Sequence, residues 1–114
     1  MFMDKKIILL LVLAGIVLSS GCINQKSSGT SEKEKAELAC INECSNNLEK
    51  GTDLNSGPCL MNPMSNFPDW VCDVVHEPRE AVDNDSGNQC SAYIEGNAHH
   101  FVEVDTNCNL IKTW

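Results

Sequence analysis

Seven cysteines in a chain of 114 residues constrain the fold more than any other feature. They stand at positions Cys22, Cys40, Cys44, Cys59, Cys72, Cys90 and Cys108. A chain this short has room for one domain, and its large apolar side chains are too few for a core that holds unaided. Cross-links supply what is missing, each bridge typically contributing about 2–4 kcal/mol. Structural zinc would need paired Cys-x-x-Cys or Cys/His spacings, and the sequence has none. Cys40-Ile41-Asn42-Glu43-Cys44 places three residues between its thiols, so it is not a thioredoxin-type redox pair. Disulfides are therefore expected, and disulfides belong to an exported protein. An odd count leaves one thiol to be accounted for.

The N-terminal segment supplies both the export and the odd cysteine. Lys5 and Lys6 precede an unbroken apolar run from Ile7 to Leu18, and Ser19, Ser20 and Gly21 are small, as a cleavage site requires. Twelve helical residues reach only about 18 Å, against about 30 Å of hydrocarbon. Residues 1–21 are thus expected to be an export signal and not a retained span. Leu18-Ser19-Ser20-Gly21-Cys22 resembles the lipobox of prokaryotic lipoproteins, with Ser19 at the place where that family usually carries Leu. The resemblance implies a diacylglyceryl group on the Cys22 thiol, cleavage before Cys22, and anchoring on the outer face of the cell membrane. Ser19 and Gly21 also suit an ordinary signal peptidase, which would give a secreted protein instead. Lipidation of Cys22 leaves Cys40, Cys44, Cys59, Cys72, Cys90 and Cys108, an even set for three disulfides among fifteen pairings. Two acyl chains suffice for stable anchoring. Residues 22–30 are polar and read as a flexible tether of about 15–18 Å.

Without residues 1–21 the chain carries six basic and fifteen acidic side chains, a formal charge of −9. That balance repels nucleic acid and anionic headgroups, so neither is an expected partner. A surface or extracytoplasmic protein is the expected partner besides the membrane.

Residues 31–114 read as an α+β domain, one N-terminal helix packed on a small antiparallel sheet of three to four strands. Ser31 and Glu34 have capping-box spacing, and Lys50-Gly51 suits a helix stop. Ala36, Cys40, Ile41, Cys44 and Leu48 share one stripe, so Cys40 and Cys44 project on successive turns and are each expected to reach a distant partner. Residues 52–69 read as loop, with Cys59 pinning them. Trp70 to His76 reads as a strand with Trp70, Cys72 and Val74 on one face. Cys90 to Glu95 and His99 to Asp105 read as two strands joined by a hairpin at Gly96-Asn97. Leu110 to Trp114 supplies a short final strand.

Candidate sites are few. His76 and His100 would meet if their strands were neighbours, with Glu77 or Glu103 at hand, whereas His99 and His100 point to opposite faces. Asp83-Asn84-Asp85-Ser86-Gly87-Asn88 spaces oxygen ligands like a calcium loop but lacks the closing Glu, and an Asx-rich turn has the same composition. His76, His100, Asp83 and Asp85 are therefore the metal-ligand candidates, set against a reading with no metal and no cofactor. Asn84-Asp85-Ser86 is a glycosylation sequon. There is no nucleophile elbow, and no enzyme is expected. Trp70, Tyr93, Phe101 and Trp114 are expected to serve the core. The order of helix, Trp-led strand, and Tyr93…Gly96…Phe101-Val102-Glu103-Val104-Asp105…Leu110-Ile111 resembles the PepSY-type domain, with Cys108 and Asn109 where that family has a turn glycine. That resemblance implies a non-catalytic, peptidase-modulating domain. The preferred reading is a tethered extracytoplasmic binding module; peptidase modulation and metal or calcium binding are the alternatives.

Overall fold

The computed structural model describes residues 29–114; the expected export signal, Cys22 and most of the expected tether lie outside them. Helix α1 spans Glu32–Glu49. It starts where Ser31 accepts a hydrogen bond from the Glu34 amide at 3.2 Å. It stops in a Schellman motif: Gly51, at φ 82°, donates to the Leu48 carbonyl, and Thr52 donates to that of Asn47. Ala36, Cys40 and Cys44 form its fully buried face. Leu48, expected on that stripe, is 43% exposed.

Four strands form one sheet in the order β1 (Cys59–Met61), β2 (Trp70–Val74), β3 (His100–Val104), β4 (Leu110–Thr113). The helix-on-sheet α+β architecture with three disulfides agrees with the sequence reading. The antiparallel meander does not. β2 and β3 run parallel, with Trp70 opposite His100 and Val74 opposite Val104, while β1 and β4 flank them antiparallel. A parallel pair needs a long crossover, and residues 75–99 provide it through two short 3-10 turns (Ala81–Asn84 and Ser86–Asn88) and a one-turn helix, α2, at Ser91–Ile94.

The expected strand at Cys90–Glu95 is thus helical, for an identifiable reason. Gly96, at φ 81°, is not a hairpin residue but the residue that ends α2: its amide donates to the Tyr93 carbonyl, and that of Asn97 donates to Ala92. The same left-handed conformation serves both a hairpin turn and a helix end, so the dipeptide signal is ambiguous. The start of α2 is capped from outside. Asn62 Oδ1 accepts from the Ala92 amide and Asn62 Nδ2 donates to Ser91 Oγ, each at 2.8 Å.

The sheet buries both faces. Towards α1 it presents Trp70, Cys72 and Val74 with Val102 and Val104, joined by Leu54 and Met64 from the loops. Towards the crossover it presents Val71 and Phe101, which pack with Cys90, Ala92, Tyr93 and Ala98. Cys40–Cys72 ties α1 to the central strand, and Cys44–Cys108 ties it to the β3–β4 turn. Both helix cysteines reach distant partners, as expected. Cys59–Cys90 closes the other face, joining the β1 edge to the start of α2. The pairing also explains why residues 59–61 are a strand: the bridge holds them beside β2, where their backbone pairs.

Replacing both Cys40 and Cys72 by Ala is expected to cost about 3–5 kcal/mol in urea unfolding. Gly51→Ala, which must hold a left-handed conformation without any clash, is expected to cost only about 1–2 kcal/mol. Equal midpoints for the two variants would contradict the central role of the bridge.

Candidate functional site

The parallel register separates the sequence-predicted metal ligands. His76 follows the C-terminal end of β2, whereas His100 opens β3 opposite Trp70, so the two lie at opposite ends of the sheet. They form no shared site, which corrects the expectation that neighbouring strands would bring them together. His100 instead stacks on Trp70 with ring centroids 4.6 Å apart. Asp69 gathers His99 and His100 by a route the alternation rule does not cover. His99 precedes the strand, and its Nδ1 lies 2.6 Å from Asp69 Oδ1, while His100 Nε2 lies 3.5 Å from Oδ2. The hydrogen bond from His99 holds the exposed Asp69 carboxyl below its ordinary range.

Asp83 is no calcium ligand in this arrangement. Its side chain is buried and turned inward, away from the other oxygens of its loop. Oδ2 accepts from the His76 amide at 3.0 Å and from the Glu80 amide at 2.8 Å, and Oδ1 lies 2.9 Å from His76 Nδ1. Burial raises the pKa of this carboxyl, but the two amide bonds and the imidazole outweigh it and hold the group below its ordinary value. Asp85 is exposed and merely links the two 3-10 turns, which correct the calcium-loop reading of residues 83–88. Asn84 is exposed, with its Oδ1 accepting from Arg79 Nε at 3.0 Å. Among the described residues no group of three or more His, Cys, Asp or Glu could hold a metal ion. Nor is any helix among them long and apolar enough to cross a membrane.

The site the geometry favours lies elsewhere, on the sheet face turned away from α1. A pocket of about 120 Å³ opens between the sheet and α2, walled by Val71, Phe101, Tyr93 and Ile94 and floored by Asp73 and Glu103. Strand alternation sets this up: Val71 and Asp73 on β2 share a face with Phe101 and Glu103 on β3, and the register puts Asp73 directly beside Glu103. Tyr93 meets Phe101 edge-on at 5.1 Å. Arg79, from the crossover, pairs with Glu103 at 3.2 Å. Asp73 has no such relief, and its Oδ1 is buried without a hydrogen-bond partner. Burial first, then repulsion from Glu103, push its pKa up to about 8, with Arg79 opposing in part.

Asp73 and Arg79 are not singled out by sequence reasoning, and Glu103 enters there only as a carboxylate beside the histidines. The available signal was a carboxylate inside the apolar run Trp70-Val71-Cys72-Asp73-Val74-Val75, where an unpaired charge is costly. Comparison with family models, with curated proteins and with solved structures finds no match.

Two stability tests follow from these carboxylates. Between pH 4 and 8 the folded chain holds a proton on Asp73 that the unfolded chain has lost, so stability falls as pH rises through that window. Melting temperature is expected to decline from pH 5 to 8.5, and Asp73→Asn should flatten most of that decline; an unchanged slope would exclude Asp73 as its source. Asp83 acts in the opposite sense, its contribution being present above the unfolded value and lost only as pH falls through the lower folded value. A Cβ at Gly57 would come within 2.5 Å of Asp83 Oδ1 at a φ of 67°. Gly57→Ala is therefore expected to cost more than about 2 kcal/mol by urea unfolding.

Proposed function

We propose that this chain is an exported lipoprotein, held on the outer face of a membrane through Cys22, that presents a binding surface and carries out no chemistry of its own. The observation that carries the binding role is the pocket on the sheet face away from α1. Binding sites are typically concave and mostly apolar, with a few convergent polar groups. This one has apolar walls and a carboxyl with one oxygen left without a donor. A buried polar group without a partner weakens the fold, and a ligand that supplies the partner is a direct reason for keeping it.

The anchoring is supported by the bridges. Cys40–Cys72, Cys44–Cys108 and Cys59–Cys90 consume every cysteine but Cys22, so lipidation gives the seventh a role. Three disulfides are also what an oxidising, extracytoplasmic setting maintains.

Intact mass of the native protein tests the placement. The expected species begins at Cys22, carries a diacylglyceryl group and lacks six protons for three disulfides. A mature chain without lipid, or with free thiols among the six, would overturn it.

A further inference from the structure

The charge inventory of the pocket is unbalanced in a way that selects a ligand. Two carboxyls, Asp73 and Glu103, share its floor, and Arg79 is the one cation lining it among the described residues. That guanidinium is already committed: Nη1 to Glu103 at 3.2 Å, Nε to Asn84 at 3.0 Å and Nη2 to the Asp83 carbonyl at 3.4 Å. Asp73 is left with a buried oxygen that nothing satisfies. An anion entering here meets two acids and a guanidinium already paired. A wholly apolar ligand supplies no donor to either carboxyl and would cover what solvent still reaches of them. A neutral donor would offer nothing to offset the two carboxyls, whereas a hydrogen-bond donor with positive charge, small at its head and apolar behind it, answers both them and the apolar walls.

Resting on the binding-module reading above, we infer that this pocket takes a primary alkylammonium, its N–H groups donating to the Asp73 carboxyl and its stem lying between Tyr93, Ile94 and Phe101. A lysine side chain of a partner and a free alkylamine share this chemistry. The cavity, about 120 Å³, is several times what one water needs and has room for a short carbon stem. Aromatic walls add to the attraction, since a cation near a ring face is stabilised. Lys112 already places its own ammonium 5.8 Å from the Phe101 ring on the same side of the sheet.

The proton balance makes the binding recognisable. In the empty pocket at neutral pH most Asp73 carboxyls carry a proton, since burial and Glu103 disfavour the anion. The charged groups facing Asp73 are Glu103 on β3 and Arg79 and Asp83 on the crossover, with Tyr93 on α2 as the remaining titratable wall. An arriving ammonium favours the carboxylate, so one proton leaves Asp73 for solvent, while the ligand, with an ordinary pKa near 10.4, keeps its own. Affinity then rises about tenfold per pH unit below 8, or roughly 50-fold between pH 6 and pH 8.

The test is a two-dimensional NMR titration of the full mature chain in detergent, disulfides intact, at pH 6 and pH 8. The probes are n-butylammonium, lysine blocked at its α-amino and carboxyl groups, and neutral 1-butanol. Butylammonium is expected to shift the resonances of Val71, Asp73, Tyr93 and Phe101 and to bind about 50-fold more tightly at the higher pH, while 1-butanol does neither. Asp73→Asn is expected to abolish the pH dependence; the wild-type pH ratio stands as the test if that variant does not fold. Blocked lysine matching butylammonium upholds the proposal with a side-chain source, and blocked lysine excluded upholds it with a free amine. Equal binding of 1-butanol, or an affinity independent of pH, overturns the ammonium and leaves the pocket a binding site. No response to any probe overturns both the ammonium and the binding reading of the pocket.

Discussion

The structure depends on the double attachment of α1 to the sheet. The buried face of that helix is Ala36, Cys40 and Cys44, which between them offer little apolar area. At about 25 cal/mol per Å², such a face cannot hold a helix down by burial alone. Two covalent bonds on successive turns replace the missing hydrophobic contact, one to the centre of β2 and one to the β3–β4 turn. Because the small cysteine and alanine side chains bring the helix close, Val74, Val102 and Val104 are wholly covered by it and its loops. A helix with leucines at those places would pack farther out and leave the valines less well enclosed. The hydrogen bond from Trp70 Nε1 to Glu32 Oε1 at 2.9 Å then fixes the helix at its other end.

With one face sealed in this way, the crossover face is free to be less well satisfied. It holds only a small apolar cluster and a single bridge, Cys59–Cys90. Its polar residues fall into two sets with opposite outcomes. Asp83 has every oxygen supplied with donors and acts as an internal anchor for the turn after β2. Asp73, three residues before His76, is only partly buried as a residue, yet its Oδ1 is covered and has no donor. The contrast argues that the scaffold is able to satisfy buried carboxylates and has not done so at the pocket.

The parts of the fold visible in the sequence were those set by local chemistry. The α1 cap at Ser31, its stop at Gly51, the inward face of Trp70, Cys72 and Val74, and the distant partners of Cys40 and Cys44 all follow from spacing and turn preferences. What was hidden depends on which strands become neighbours. Nothing local in Trp70-Val71-Cys72-Asp73-Val74 tells a parallel from an antiparallel partner, and Gly96 has the same backbone conformation in either topology. Once β2 and β3 are parallel, His76 and His100 separate and Asp73 and Glu103 meet. The candidate site was therefore illegible for the same reason that the metal candidates looked plausible: both rested on sheet order. The inward turn of Asp83 was likewise invisible, because it depends on Gly57, a residue 26 positions away whose lack of a side chain makes room for it.

The bridge pattern also sets how the domain bears load. Tension entering at α1 reaches Cys40 within nine residues of Glu32, and from there the shortest covalent path to Trp114 bypasses most of the chain. It runs along four residues of helix to Cys44, across one bridge to Cys108, and through six more residues. At no more than about 3.6 Å per residue, a pulled molecule would lengthen by a few tens of ångströms along this path, where the uncrosslinked chain would yield hundreds. The pocket, whose floor lies on β2 and β3 inside the bypassed loop, is mechanically shielded.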